Sequence, residues 1–117
     1  MTDVQKVNVS SIDAETGWEP FVHDGHTVGE VHWLAQEARQ NGVLAAGLWR
    51  IDPESGAELP YAVSGSETIH VLEGEAVLEL PDGTTIDLAP GVIVALPDGF
   101  TATWRTLSTF KKFFVVA

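Results

Sequence analysis

Three of the four histidines lie within ten residues of one another, and histidine is the commonest metal-ligating side chain. His23 and His26 flank the turn residues Asp24 and Gly25, and His32 follows in an apolar segment. Two imidazoles across such a turn, with a third on the next strand, could chelate a transition metal. The alternative interpretation is that His23 and His26 are polar residues of a surface loop. The sequence alone leaves both interpretations open.

Several other kinds of chemistry are excluded or unsupported by residue types. The chain has no cysteine, which excludes disulfides, thiolate metal sites and a cysteine nucleophile. Its serines have no accompanying histidine motif and no Gly-x-Ser-x-Gly pattern, so a serine nucleophile is unsupported. The glycines form no phosphate-binding or dinucleotide-binding loop. These exclusions leave two possibilities, namely acid–base chemistry by carboxylates and ligand binding by aromatic side chains.

The composition narrows the range of partners. The 117 residues are enough for one domain, and 17 acidic against 6 basic residues give a net charge of −11. Such a surface repels a phosphate backbone and an anionic bilayer, so we expect neither nucleic acid nor a membrane as a partner. The sequence has no apolar segment of the roughly 18–20 residues that a membrane span needs, and its start does not resemble a secretory signal. We therefore expect a cytoplasmic protein.

The pattern of apolar segments predicts an all-β fold. From Val43 onward short apolar segments alternate with turn signals such as Asp82-Gly83, an arrangement typical of a sandwich or barrel. Earlier strands are predicted over 28–34 and 43–51. They are joined by a predicted loop, in which the helix-favouring residues of 33–40 could form one helical turn. Residues 1–27 have no clear period and are predicted to form an N-terminal arm that packs on a barrel of residues 28–117.

A series of turn motifs in fixed order resembles one known family. The motifs are residues 47–50 (GLWR), 53–57 (PESGA), Glu67 with 70–75 (HVLEGE), Gly91 with 97–99 (PDG), and the closing 100–104 and 111–114. In this order they resemble the cupin superfamily, in particular the small cupins grouped with ureidoglycine aminohydrolase and the ethanolamine-utilisation Q-type protein. The resemblance implies a single jelly-roll β-barrel, a double-stranded β-helix, and commonly a homodimer.

The same resemblance bears on the metal question. Metal-binding cupins carry a His-x-His pair before a glutamate and a third histidine after the second motif. In this chain the glutamate corresponds to Glu67, whereas the first two histidine positions correspond to Tyr61 and Val63, or with a longer spacing to Pro60 and Ala62, and the third to Ala102. The resemblance therefore implies a cupin without the usual metal, and we expect no cofactor. A metal-dependent protein would have to recruit the three N-terminal histidines instead.

What the resemblance leaves in the barrel mouth is a carboxylate, a phenol and a set of large apolar side chains. Glu67 and Tyr61 are the candidate catalytic pair: burial would favour the protonated form of Glu67, and the Tyr61 hydroxyl could share its proton. The alternative is that Glu67 is solvated, or only accepts hydrogen bonds from nearby donors, and does no chemistry. His70 is expected on the opposite face of the strand, because side chains alternate. The candidate ligand-binding residues are Trp49, Ile69, Phe100 and Trp104, although each tryptophan could equally be a core filler.

Two functions of different classes follow from this reading. One is a non-catalytic cupin that binds a small organic metabolite, apolar or cationic, in the barrel mouth. The other is a metal-independent acid–base enzyme, such as an isomerase, cyclase, lyase or aminohydrolase-like protein, that uses Glu67. A metal-dependent enzyme through His23, His26 and His32 is a further alternative. We also expect a homodimer, because the apolar residues Trp18, Phe21 and Val22 of the arm need cover.

Overall fold

A computed structural model describes residues 7–40 and 42–117 of the chain. These residues form ten β-strands and one short helix. In chain order they are β1 (Trp18–His23), β2 (His26–Arg39), β3 (Gly42–Ile51), α1 (Pro53–Gly56), β4 (Glu58–Ala62), β5 (Glu67–Glu73), β6 (Ala76–Glu79), β7 (Thr85–Leu88), β8 (Ile93–Leu96), β9 (Thr101–Thr106) and β10 (Phe110–Val116).

The strands form two antiparallel sheets that enclose one core. The larger sheet has the order β1-β2-β3-β10-β5-β8, and the smaller has the order β4-β9-β6-β7. Trp104 of the small sheet and Phe110 and Ile69 of the large sheet have no exposed surface, and all three belong to one hydrophobic cluster. The all-β jelly roll predicted from the turn motifs is confirmed.

Alternation along the central strands decides which side chains enter the barrel. On β5, Glu67 and Ile69 are buried whereas Thr68 and His70 are exposed, as the period of two predicts for His70. On β10 the same period turns Lys112 inward, in line with its apolar neighbours two residues away on either side. A lysine and a glutamate therefore face the interior from two paired strands.

The helical turn considered within residues 33–40 is not formed. These residues continue β2 to Arg39, and they pair with β3 along their length, as in Gln36 opposite Ala45 and Glu37 opposite Leu44. The side chains in this segment favour helix, but a ladder of hydrogen bonds to a neighbouring strand outweighs the few tenths of a kcal/mol per residue by which such propensities differ. Strand pairing overrides the local preference.

The N-terminal residues contribute a strand to the large sheet. Residues 18–23, inside the predicted arm, form the edge strand β1 and pair with β2. Before β1 the chain crosses the outside of this sheet, where the Asn8 amide donates to the Leu34 carbonyl at 2.8 Å and the Lys111 ammonium to the Ile12 carbonyl at 2.7 Å. The division at residues 27 and 28 stays a prediction. Residues 1–6 of the predicted arm and Asn41 of the predicted loop lie outside the described residues.

The turn between β5 and β6 depends on a glycine for two separate reasons. Gly74 has a φ of +79°, in the left-handed region that side chains disfavour. A Cβ atom at this position would also overlap the carbonyl oxygen of Thr109, just before β10. Gly83, in the β6–β7 turn, shares the left-handed φ at +90° but has no atom within 4 Å of its Cβ position. A substitution at Gly74 therefore introduces both backbone strain and steric overlap, whereas one at Gly83 introduces backbone strain alone.

We expect Gly74→Ala to lower the free energy of unfolding by about 3 kcal/mol, since strain and overlap add. Gly83→Ala should cost about 1 kcal/mol, from backbone strain alone. Urea unfolding followed by tryptophan fluorescence measures both. Equal losses in the two variants would contradict the close packing of the β5–β6 turn against residue 109.

Candidate ligand site between the two sheets

A cavity of about 300 Å³ opens between the sheets, where β4 ends and β5 begins. Side chains of β1, β2, β3, β4 and β10 supply most of its wall, which is mainly apolar. Phe21 and Trp33 contact each other edge-on at one side, with ring centroids 6.4 Å apart, and Trp33 also contacts Phe114. The remaining lining residues include Val31, Ala45, Trp49, Pro60, Ala62, Val63, Ser64 and Val116, with His23 also in contact with the cavity.

Three polar side chains form a closed hydrogen-bonded triangle in this cavity. The Tyr61 hydroxyl donates to Oε1 of Glu67 at 2.5 Å. The Lys112 ammonium donates to the Tyr61 oxygen at 2.7 Å and to Oε2 of Glu67 at 3.0 Å. Glu67 and Lys112 are 7% and 4% exposed, so this is a buried ion pair with both carboxylate oxygens engaged. We call these three residues the polar triad.

The polar triad joins the two sheets. Tyr61 lies on β4 of the small sheet, opposite Ala102. Glu67 is the first residue of β5, and Lys112 lies in the middle of β10, opposite Trp49 on one side and paired with β5 on the other. Because both neighbours of β10 fix its backbone, the lysine stem has a defined direction into the barrel.

Aromatic rings surround the lysine ammonium. The Nζ atom of Lys112 lies 5.0 Å from the ring centroids of Trp49 and Tyr61, 5.3 Å from that of Trp104 and 5.7 Å from that of Phe114. Ring faces attract a cation at these distances, and the attraction is strongest where water is excluded. An aromatic cage of this kind would suit a cationic ligand, but the protein's own lysine already fills it.

Burial changes the proton affinities of two members of the polar triad. Loss of water around Lys112 lowers the pKa of its ammonium, and the charge of Glu67 and the hydrogen bond to it oppose that change. Burial raises the pKa of the Tyr61 hydroxyl well above its usual value of 10.0, and the negative charge of Glu67 and the hydrogen bond to it raise it further. Tyr61 therefore stays protonated and donates its hydrogen to the carboxylate.

The structure brings together only some of the residues expected at the site. Glu67 and Tyr61 are in direct contact, and Trp49 lines the cavity with its indole nitrogen donating to the Val28 carbonyl at 2.9 Å. The other three expected ligand-binding residues, Ile69, Phe100 and Trp104, do not line the cavity.

Each of these three residues has another place in the barrel. Ile69 and Trp104 are fully buried in the core. The Trp104 ring lies 5.3 Å from that of Tyr61 and supports it from behind. Phe100 packs against the core, and its carbonyl accepts a hydrogen bond from the Val63 amide at 2.9 Å. Direct ligand binding by any of the four expected residues stays a prediction.

The three N-terminal histidines do not converge. His23 lies beside the cavity, whereas His32 is on the other side of the sheet, bonded to the Ser10 hydroxyl at 2.6 Å and the Thr16 carbonyl at 2.8 Å. His26 is exposed opposite His23 in the β1–β2 hairpin. Across residues 7–40 and 42–117, no group of three or more histidine, cysteine, aspartate and glutamate side chains is arranged to hold a metal ion.

The donor set around Glu67 also fits a transition metal poorly. A cupin metal would need imidazoles at positions occupied by Tyr61 and Val63, or by Pro60 and Ala62, and by Ala102. Of these side chains, only that of Tyr61 has a donor atom. The Lys112 ammonium contacts both Glu67 and Tyr61, so a fixed organic cation already neutralises the carboxylate. A metal ion there would meet one carboxylate and a repelling ammonium, which is a weak and unselective site.

Sequence reasoning missed Lys112, although a signal for it was present. Consecutive residues of a strand point to opposite faces. In the segment 110–116 (FKKFFVV) the two adjacent lysines therefore cannot both face solvent if the strand is central. Lys111 points outward and forms an ion pair with Glu73 at 2.7 Å, and Lys112 points inward.

Comparisons with known proteins identify the family. The family model of the EutQ-like cupin domain matches residues 38–114, which is well over half of the chain. The chain therefore belongs to the EutQ-like cupin family. A comparison with curated proteins finds no match. No helix among the residues that the structure describes is long and apolar enough to cross a membrane.

Solved structures share the fold. A structure described as ethanolamine utilization protein Q from Salmonella typhimurium LT2 is 24% identical, with a TM-score of 0.62 over 80% of this chain and 71% of the other. A cupin superfamily protein from Desulfitobacterium hafniense DCB-2 is 21% identical, with a TM-score of 0.62 over 81% and 82%. The EutQ protein of Clostridium difficile is 13% identical, with a TM-score of 0.60 over 81% and 73%. At these identities the likeness shows the fold alone.

The raised pKa of Tyr61 can be measured directly, because Tyr61 is the only tyrosine of the chain. We expect no tyrosinate absorbance from the folded protein at pH values where the unfolded chain ionises, about pH 10. Because the pKa of Tyr61 is higher in the folded protein than in the unfolded chain, the stability that protonated Tyr61 contributes is fully present below about pH 10. It is lost as the pH rises towards the folded pKa. Ionisation of the folded protein near pH 10 would contradict the buried triad.

The adjacent lysines provide a matched test of the buried ion pair. We expect Lys112→Met to lower the free energy of unfolding by about 3–5 kcal/mol, because it leaves Glu67 buried without a cation. Lys111→Met removes an ion pair with the 63% exposed Glu73 carboxylate and one hydrogen bond to the Ile12 carbonyl, and should cost about 1–2 kcal/mol. Urea unfolding of both variants at pH 7 gives the comparison. Similar losses would show that Lys112 is not in a buried charge pair.

Proposed function

We propose that this protein binds a small, uncharged organic molecule that has an apolar body and one hydrogen-bond acceptor. The observation that carries the proposal is a cavity of about 300 Å³ whose mainly apolar wall surrounds the polar triad, with Ser64 and His23 as the other polar lining residues. This volume is at the small end of the range for ligand pockets, about 300–1,000 Å³. Apolar walls with a few fixed polar groups are the usual form of such sites.

The polar triad supports the choice of an acceptor group. An ammonium has three N–H donors, and among the described residues Lys112 uses two of them, toward Tyr61 and Glu67. The third is free for a carbonyl or ether oxygen of a ligand. The Tyr61 hydrogen is already held by Glu67, so the lysine is the donor best placed to bind a ligand.

Charge balance supports an uncharged ligand. Glu67 and Lys112 neutralise each other, so a charged ligand would bring an unpaired charge into a buried site. The net charge of −11 repels anions from the whole surface, and the Lys112 ammonium within its aromatic cage opposes a cation. The apolar ligand expected from the sequence is retained in this proposal, and the cationic alternative is not.

We extend the proposal to binding without a metal. Its support is the donor set of the site, in which Lys112 neutralises the carboxylate that a cupin metal would use. Cytoplasmic location and the absence of nucleic-acid or membrane partners stay predictions from charge and composition.

A second candidate function is acid–base catalysis on the bound molecule. The 2.5 Å hydrogen bond between Tyr61 and Glu67, with Lys112 bonded to both, gives a connected path along which a proton can move. A carboxylate in such a network can accept a proton from a ligand carbon or heteroatom while the lysine stabilises developing negative charge on an oxygen. Glu67→Gln would then abolish turnover; because it also leaves Lys112 buried without an anion, turnover is compared under conditions where urea unfolding shows the variant to be folded.

The homodimer also remains a proposal, and part of its support changes. Trp18 stacks under the Arg50 guanidinium at 3.9 Å and Phe21 contacts Trp33, so both are covered within the chain, whereas Val22 is 60% exposed and still needs cover. Exposed apolar side chains elsewhere support the proposal, in particular Ile93 on the edge strand β8, which is 66% exposed. Sedimentation at micromolar concentration giving the mass of one chain would rule out the dimer.

Ligand binding is tested with matched probes of similar size, namely cyclohexanone, cyclohexanol and cyclohexane, followed by thermal unfolding. Binding to the folded state raises the midpoint by an amount set by RT ln(1 + [L]/Kd). We expect cyclohexanone to stabilise the protein most, because it combines an apolar body with a carbonyl acceptor. Equal small shifts from all three probes would count against a specific site.

A blocking variant locates the binding. Ala62 lies exposed at the cavity, so Ala62→Phe should obstruct it without disturbing the core and should abolish the shift. Ala95→Phe adds the same ring at an exposed position of β8 that does not line the cavity, and should leave the shift unchanged. A shift that survives Ala62→Phe would place the binding elsewhere on the protein.

A further inference from the structure

The Lys112 amine is placed unlike a surface lysine. Its side chain is 4% exposed and lines the cavity, with the Glu67 carboxylate 3.0 Å and the Tyr61 oxygen 2.7 Å from the nitrogen. A potential proton acceptor, a hydroxyl and an amine therefore meet in one small apolar enclosure. These are the groups that addition of an amine to a carbonyl carbon requires.

We propose that Lys112 forms a reversible imine with an aldehyde or ketone bound in the cavity. The inference rests on the proposed function, since it names a ligand class that combines an apolar body with a carbonyl acceptor. It goes beyond that function by making the contact covalent. The amine donates its electron pair to the carbonyl carbon, and the oxygen of the carbonyl leaves as water.

The protons balance within the site. Lys112 first transfers one proton to the Glu67 carboxylate, which gives a neutral amine and a neutral acid. The amine nitrogen adds to the carbonyl carbon, and a proton passes from nitrogen to oxygen through the Tyr61 hydroxyl to give a carbinolamine. The hydroxyl then leaves as water with the proton held by Glu67. The products are a protonated imine on Lys112, the Glu67 carboxylate beside it, and one water molecule.

Burial favours the neutral amine and neutral acid that the addition step needs, and pairing with Glu67 stabilises the charged product. Desolvation lowers the pKa of the Lys112 ammonium, which eases the first proton transfer, and a ligand that expels water strengthens the effect. The protonated imine keeps the single positive charge of the original lysine, so it remains paired with Glu67. Water enters and leaves on the side of the cavity where Ala62 and Ser64 are exposed.

The experiment is reductive trapping with sodium cyanoborohydride and one of three probes, butanal, benzaldehyde and cyclohexanone. Lys6, Lys111 and Lys112 are the only lysines of the chain, so peptide mapping by mass spectrometry assigns each adduct. We expect Lys112 to be labelled faster than Lys111, because Lys112 lines the cavity that holds the carbonyl probe whereas Lys111 lies outside it. Lys112→Arg keeps a cation but cannot form an imine, and it should abolish the cavity adduct. Lys111→Arg should leave that adduct unchanged.

The outcomes separate this inference from the function on which it rests. Adducts at Lys112 that are lost in Lys112→Arg and blocked in Ala62→Phe support the imine. Equal labelling of all three lysines, or no adduct at Lys112 with any of the three probes, overturns it. If cyclohexanone raises the unfolding midpoint and no probe is trapped at Lys112, binding is non-covalent and the proposed function stands. If cyclohexanone neither binds nor is trapped, both proposals fail.

Discussion

The buried ion pair between Lys112 and Glu67 is the constraint around which the rest of the site is arranged. Two charges removed from water cost several kcal/mol each unless they pair well and their remaining hydrogen-bonding groups are satisfied. Here Tyr61 completes the arrangement from the opposite sheet, and four aromatic rings surround the ammonium. The core is therefore closed by a polar group that holds β4, β5 and β10 in one relative position. Among the residues that the structure describes, no buried side-chain nitrogen or oxygen lacks a partner.

The same constraint shapes the cavity. Because the charges of Glu67 and Lys112 satisfy each other, the cavity has a mainly apolar wall and few polar groups rather than a strong electric field. This distinguishes the site from a metal-centred cupin mouth, where open coordination positions bind the substrate. In the proposed function, a site of this kind would select ligands by size and by the position of one oxygen. In the proposed imine chemistry, the amine that binds this oxygen would also add to the carbonyl carbon.

The sequence supports accurate prediction of the barrel and only part of the site. Turn motifs and alternation suffice for the strands from β5 onward and for the inward direction of Glu67, because they depend on local geometry. For the segment after residue 34 the sequence predicts a loop with a possible helical turn, because its side chains favour helix. Only its pairing with β3 makes this segment a strand. The inward direction of Lys112 could have been inferred from the two adjacent lysines of β10. The partners of Lys112 could not have been inferred in this way. Contact with Tyr61, 51 residues away, depends on how the two sheets close. The histidines show the opposite case: His23 and His32 are close in sequence, yet the fold places them on opposite sides of one sheet.

The most direct test of this account is the titration of the Lys112 amine by NMR, in protein labelled at the lysine side chains. With three lysines in the chain, the Lys112→Arg variant assigns the signal. The account predicts that Lys112 titrates below the usual lysine pKa of 10.5, because burial disfavours its charge, and lower still in Glu67→Gln, because the compensating carboxylate charge is gone. A Lys112 amine that titrates at or above 10.5 and does not respond to Glu67→Gln would contradict the buried ion pair on which the site is built.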